Sequence, residues 1–172
     1  MKNILVKSGL IALAVAVSAC TDAGRFGAGG ANDGAGANAG GAGYDSVNDP
    51  SSPAYFQQNV GDRVLFSVDQ STLSPQAQST LDGQATWLAS NPSYSAIVEG
   101  HADEQGTREY NLALGARRAN SVQEYLISKG VAGSRLRTVS YGKERPIEVC
   151  STEVCYAKNR RAVTVLSAGQ GS

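Results

Sequence analysis

The run from Val98 to Val122, VEGHADEQGTREYNLALGARRANSV, constrains the chain more than any other stretch. It starts as a short apolar strand, breaks at Gly100-His101-Ala102-Asp103, and resumes as a helix carrying Asn111, Leu114, Arg118 and Ala119. An acid at a strand end thus faces a helix that presents an amide and a guanidinium. No catalytic nucleophile stands beside them. That grouping suits a pocket for a small zwitterion better than a reaction centre.

The flanking sequence supplies the rest of an α/β domain. Val64-Leu65-Phe66-Ser67-Val68 is a β-branched and aromatic run ending at Asp69, and it predicts a first strand. Ser74-Pro75 reads as an N-cap and first helical position. Ala77, Leu81, Ala85 and Leu88 then recur at helical spacing until Asn91-Pro92. Tyr94 to Glu99 is the second strand. Thr107 caps a second helix, with an expected apolar stripe of Leu112, Ala116, Ala119, Val122 and Leu126 and a stop at Lys129-Gly130. Leu136 to Tyr141 and Ala162 to Leu166 are the third and fourth strands. The order β-α-β-α-β-β implies crossover connections and a mixed four-stranded sheet with helices packed on one face.

Helical geometry gives the second helix a second, polar stripe, in which Asn111, Gly115 and Arg118 lie at i, i+4 and i+7. A mid-helix glycine costs about 1 kcal/mol against alanine, so Gly115 calls for a reason. Close approach of a ligand or loop would be one. Arg117, rotated about 100° from Arg118, reads as a solvated charge.

The N-terminus points to export. Lys2 and Lys7 precede an apolar stretch from Leu10 to Val17, which is shorter than the ~20 residues that span a bilayer. Residues 1–19 therefore read as a signal peptide. Val17-Ser18-Ala19-Cys20 is similar to a bacterial lipobox, in which the cysteine becomes the first mature residue and carries lipid. Acyl chains contribute about 0.8 kcal/mol per buried methylene, enough for several to anchor the chain stably. Thr21 after the cysteine, by resemblance to lipoprotein sorting in enteric bacteria, implies delivery to the outer membrane.

Loss of residues 1–19 removes two lysines, so 15 acids face 13 bases and the net charge moves from 0 to −2. Nothing in this balance supports nucleic-acid binding, which needs a concentrated basic surface. Residues 21–43 hold nine Gly and seven Ala, too little apolar surface to offset their ordering entropy. Residues 20–52 read as a lipidated cysteine and flexible tether, reaching about 30 Å as a coil and at most ~100 Å extended. Gly34-Ala35-Gly36-Ala37-Asn38-Ala39 fits a loose dinucleotide-binding pattern, but no strand precedes it and no helix follows. Residues 53–168 are the expected domain and 169–172 a short tail.

Three runs taken together resemble the OmpA-like domain family, and within it the peptidoglycan-associated lipoproteins. They are Gly100-His101-Ala102-Asp103 with Asn111, Leu114, Arg118, Ala119, Val122 and Leu126; Val139 to Pro146; and Asn159-Arg160-Arg161-Ala162-Val163. The resemblance spans Asp62 to Leu166. It implies an OmpA-like sandwich that binds the diaminopimelate side chain of the peptidoglycan stem peptide. Asp103 would accept from the ligand's ammonium, and Arg118 would clamp its carboxylate in the bidentate geometry of a guanidinium. Asp69, Thr107, Asn111, Leu114 and Arg160 occupy positions that line the pocket in relatives. The resemblance also implies binding to TolB and other Tol proteins, overlapping the wall-binding surface, and support of envelope integrity and constriction at division. The lone His101 reads as structural, and no cofactor or metal is expected.

The sequence departs from the family pattern at Ser67 and Val68, where relatives often carry an acid and an aromatic. Cys150 and Cys155 are an addition to it. Once Cys20 is lipidated they are the only two thiols, in an oxidising compartment, and a C-x4-C pair without a neighbouring His does not make a four-ligand zinc site. A disulfide stapling the loop before Asn159 is expected. A cell-wall hydrolase would need a positioned metal or a nucleophile–base pair, which the single His does not supply. A flagellar-stator-type anchor would need a transmembrane helix, and an envelope lipoprotein without a ligand is the remaining alternative.

Overall fold

The computed structural model describes residues 47–168. The expected signal peptide, the lipidated Cys20, the tether up to residue 46 and the tail from 169 lie outside the described residues. Order begins ahead of Pro53. Ser52 is fully buried, and its hydroxyl accepts from the Tyr55 N–H at 3.0 Å. The Trp87 indole donates to the carbonyl of Pro50 at 2.7 Å, so residues expected to be tether are held against the domain.

A single turn, α1 (Pro53–Tyr55), runs into a π-helical turn over Phe56–Gly61, neither of which periodicity announces. Then come β1 (Arg63–Leu65), α2 (Pro75–Ser90), β2 (Tyr94–His101), α3 (Arg108–Ser128), β3 (Leu136–Gly142), α4 (Glu153–Asn159) and β4 (Arg161–Ala168). The sheet order is β1-β4-β2-β3, with β2 and β3 parallel and the other two pairs antiparallel. The mixed four-stranded sheet with helices on one face is as the sequence implied. The short helix α4 intervenes between the last two strands.

Both long helices begin where their caps predict. The Ser74 hydroxyl accepts from Ala77 N–H at 3.1 Å and the Thr107 hydroxyl from Tyr110 N–H at 3.2 Å, each satisfying a first-turn donor. The C-terminus of α3 is closed by Gly130 at φ 95°, after which Val131 N–H returns to the Leu126 carbonyl at 3.1 Å. The core joins Phe56, Val64, Phe66, Leu81, Leu88, Val98, Val122, Leu126 and Leu136 between helices and sheet.

Two expectations need correction. Strand β1 stops at Leu65 rather than Val68, because Asp69 adopts φ 53° and the chain turns away from β4. The buried face of α3 also differs from the expected stripe. Leu112 is 49 % exposed, whereas Asn111, Leu114, Gly115, Arg118, Ala119, Val122 and Leu126 are all buried. The polar stripe and the apolar stripe are thus one face, turned toward the sheet. Gly115 serves that packing: a Cβ there would stand 2.4 Å from Ser140 Oγ and 2.8 Å from Gly100 O.

Candidate functional site

Asp103 leaves the end of β2 just beyond the point where Ala102 N–H donates to Gly142 O at 2.8 Å. Asp103 is buried, only 7 % exposed. Oδ2 accepts from Arg160 Nη1 at 3.1 Å, and Oδ1 accepts from the Gln105 N–H at 3.3 Å. Arg160, which caps α4 and precedes β4, is itself buried and donates through Nε to the Phe66 carbonyl at 3.2 Å. Its other partner is Glu153, whose two carboxylate oxygens accept from Nη1 and Nη2. The guanidinium pKa is raised, first by the hydrogen bond to Glu153 and also by that to Asp103, against the opposing effect of burial.

Arg118 is fully buried. It donates from Nε to Gln70 O at 2.8 Å, from Nη1 to His101 O at 2.8 Å and from Nη2 to Ser67 O at 3.1 Å, and it stacks 5.2 Å from the Phe66 ring centroid. Burial pulls its pKa down to about 10, while Asp103 works in the opposite direction. A guanidinium carries five N–H groups, so a carboxylate clamp would have to use those left after three go to carbonyls. The same three bonds tie the turn at Ser67–Gln70 and the end of β2 to the middle of α3, which makes Arg118 a structural anchor.

The remaining residues divide between framework and rim. Asn111 is buried and donates from Nδ2 to Gln105 O at 2.7 Å, fixing the loop that follows Asp103. The Thr107 hydroxyl is used as the α3 cap. Leu114 is buried in the sheet-facing side of that helix. Asp69 is exposed and reaches the group through Tyr110, whose hydroxyl donates to Oδ1 at 3.3 Å. The structure thus pairs Asp103 directly with Arg160, keeps Arg118 within their electrostatic reach, and leaves Asp69 at the edge.

His101 is 2 % exposed, and neither ring nitrogen has a hydrogen-bond partner. Its ring lies 5.5 Å from that of Tyr141, with Glu99 Oε2 at 3.7 Å from Nε2. Burial, followed by the charges of Arg161 and Arg145, lowers its pKa to about 4, so it is neutral at pH 7. Its carbonyl, accepting from Arg118, does the visible work.

The loop closed by Cys150 and Cys155 is the part of the site that sequence patterns missed. The two cysteines are joined, with Cα atoms 5.9 Å apart. Inside the loop Ser151 Oγ donates to Glu104 Oε1 at 3.1 Å and Glu153 meets Arg160, while Tyr156, the residue just after Cys155, donates its OH to the same Glu104 oxygen at 3.0 Å. An acid bracketed by two cysteines ahead of Arg160 was the signal available.

The OmpA family model matches residues 65–160, which include all of these groups. The chain belongs to the OmpA family. Its relatives within that family carry a more specific name. The peptidoglycan-associated lipoprotein of Rhizobium meliloti (strain 1021) is 58 % identical over 123 residues, covering 72 % of this chain and 69 % of the relative. That of Haemophilus influenzae is 41 % identical over 95 % of each chain. The crystal structure of the peptidoglycan-associated lipoprotein from Burkholderia pseudomallei superposes with a TM-score of 0.63 at 38 % identity, covering 70 % of this chain and 98 % of that one. The OmpA-family domain is therefore of the peptidoglycan-associated lipoprotein type. Among its described residues no helix is long and apolar enough to cross a membrane.

Proposed function

We propose that the protein is a non-catalytic tether that binds peptidoglycan through the diaminopimelate of its stem peptide. Lipid on Cys20 holds the outer membrane, the Gly/Ala-rich segment spans the gap, and the domain in the periplasm grips the wall. Asp103 accepts from the ligand's ammonium, Arg118 faces its carboxylate, and Asp69, Thr107, Asn111, Leu114 and Arg160 form the surroundings. TolB and the Tol system are the protein partners, and the resulting link supports envelope integrity and constriction at division.

The observation that carries this reading is the buried grouping of Asp103, Arg160 and Arg118 at the end of β2. Charges taken out of water cost several kcal/mol each, and well-packed apolar residues often stabilise such a position as well or better. Their placement together at one strand end fits recognition of a ligand that bears both signs of charge. The names of the relatives supply the ligand class.

Pelleting with purified sacculi tests it. The intact protein should sediment with the wall, and Asp103→Asn should remain largely in the supernatant. A wild-type protein that stays soluble, or an Asp103→Asn variant that pellets equally well, would overturn the assignment. Membrane fractionation tests the anchor, because Cys20→Ser should leave the outer-membrane fraction.

A further inference from the structure

We propose that Glu153, held by the Cys150–Cys155 loop, is a specificity-determining residue that reserves the charge of Asp103 for an ammonium group. The proposal rests on the reading of the site as a diaminopimelate pocket. Arg160 stands between two acids: Nη1 is 3.1 Å from Asp103 Oδ2 and 3.4 Å from Glu153 Oε2, while Nη2 is given to Glu153 Oε1. Asp103 therefore receives one N–H of this guanidinium and Glu153 receives two. A carboxylate wholly neutralised by a buried arginine would attract a ligand cation poorly. A second acid that shares the arginine brings Asp103, Arg160 and Glu153 to a net charge of −1, which offsets the nearby Arg118 guanidinium. Without Glu153 the site would carry an excess positive charge that repels an ammonium. The directions of titration agree: Arg160 is raised first by Glu153, and Glu153 is lowered first by Arg160.

The loop makes this arrangement durable. Glu153 is 67 % exposed in its side chain and would otherwise sample water. The disulfide brackets it, and Thr152 begins the first turn of α4. Ser151 and Tyr156 pin the same loop to Glu104, the residue after Asp103. The loop and the Asp103–Gly106 turn therefore form one continuous wall.

Calorimetry with the intact protein and two synthetic stem peptides tests the inference. One peptide keeps the free side-chain ammonium of diaminopimelate, and the other has that amine acetylated. Glu153→Gln should weaken binding of the free-amine peptide about fivefold, the scale of one partly exposed charge interaction. It should leave the acetylated peptide unchanged, and Cys150→Ser with Cys155→Ser should show the same selective loss. Equal losses for both peptides, or none for either, would overturn the role of Glu153 while wild-type binding still supports the pocket. Failure of the wild-type protein to bind either peptide would overturn both readings.

Discussion

Gly100 on β2 and Gly115 on α3 meet back to back. A Cβ on Gly100 would stand 1.8 Å from the Gly115 carbonyl oxygen. The obstacle is helix backbone, which cannot rotate aside as a side chain can. Overpacking usually costs about 1–3 kcal/mol, and Gly100→Ala belongs at or above the top of that range. Gly115→Ala gains about 1 kcal/mol of helix propensity. Its Cβ would meet Ser140 Oγ at 2.4 Å and Gly100 O at 2.8 Å, both longer than the 1.8 Å contact at Gly100, and so it should be the milder loss. Urea unfolding of both variants checks the order.

Arg118→Lys and Arg117→Lys separate an anchor from a surface charge. Lysine cannot serve three carbonyls from the guanidinium's planar positions, and charge-assisted bonds are worth about 1.5–3 kcal/mol each. Arg118→Lys should therefore lower stability by at least about 2 kcal/mol, and peptide affinity with it. Arg117 is exposed, with only a 6.0 Å approach to the Tyr110 ring, and its conversion to Lys should change neither. Paired denaturation and calorimetry on both variants provide the check. Equal behaviour of the two would contradict the carbonyl network.

His101 should make the domain acid-sensitive. Its pKa is about 4 when folded against an ordinary 6.5, so the unfolded chain binds the proton more readily. Stability from this residue is complete above pH 6.5 and is lost as pH falls toward 4, by at most about 1.4 kcal/mol per pH unit. His101→Phe should flatten that part of the stability profile. Parallel profiles for the two proteins would show that His101 is not the group responsible.

Reduction of the Cys150–Cys155 bond should cost about 2 kcal/mol, because the closed loop is short. Mass spectrometry of the non-reduced protein should show a two-hydrogen deficit. Two free thiols in protein isolated under non-reducing conditions would refute the pairing.

The elements that sequence reading located share a plain physical signal. Ser74 and Thr107 mark helix starts, Gly130 a left-handed stop, and β2 and β4 are apolar runs. The rotation of α3 was hidden because its buried face carries Asn111, Gly115 and Arg118, none of which counts as apolar. Arg118 lies on that face only because Ser67, Gln70 and His101, distant in sequence, bring carbonyls to it. The pairing of Asp103 with Arg160 spans 57 residues, and no local pattern encodes it. Glu153 lay unread because α4 has too few apolar residues to show a period.

The place of β4 in the sheet has a consequence for how the chain is made. Among the described residues it is the last strand in chain order, yet it lies between β1 and β2, and its Val163 pairs with Arg63 from the opposite end of the domain. Until β4 emerges, β1 has no neighbour and β2 holds only β3. Contacts this distant in sequence must wait for a long loop to close, which slows folding. A nascent chain lacking β4 thus cannot complete its sheet, and the domain closes only after residues 161–168 have been made.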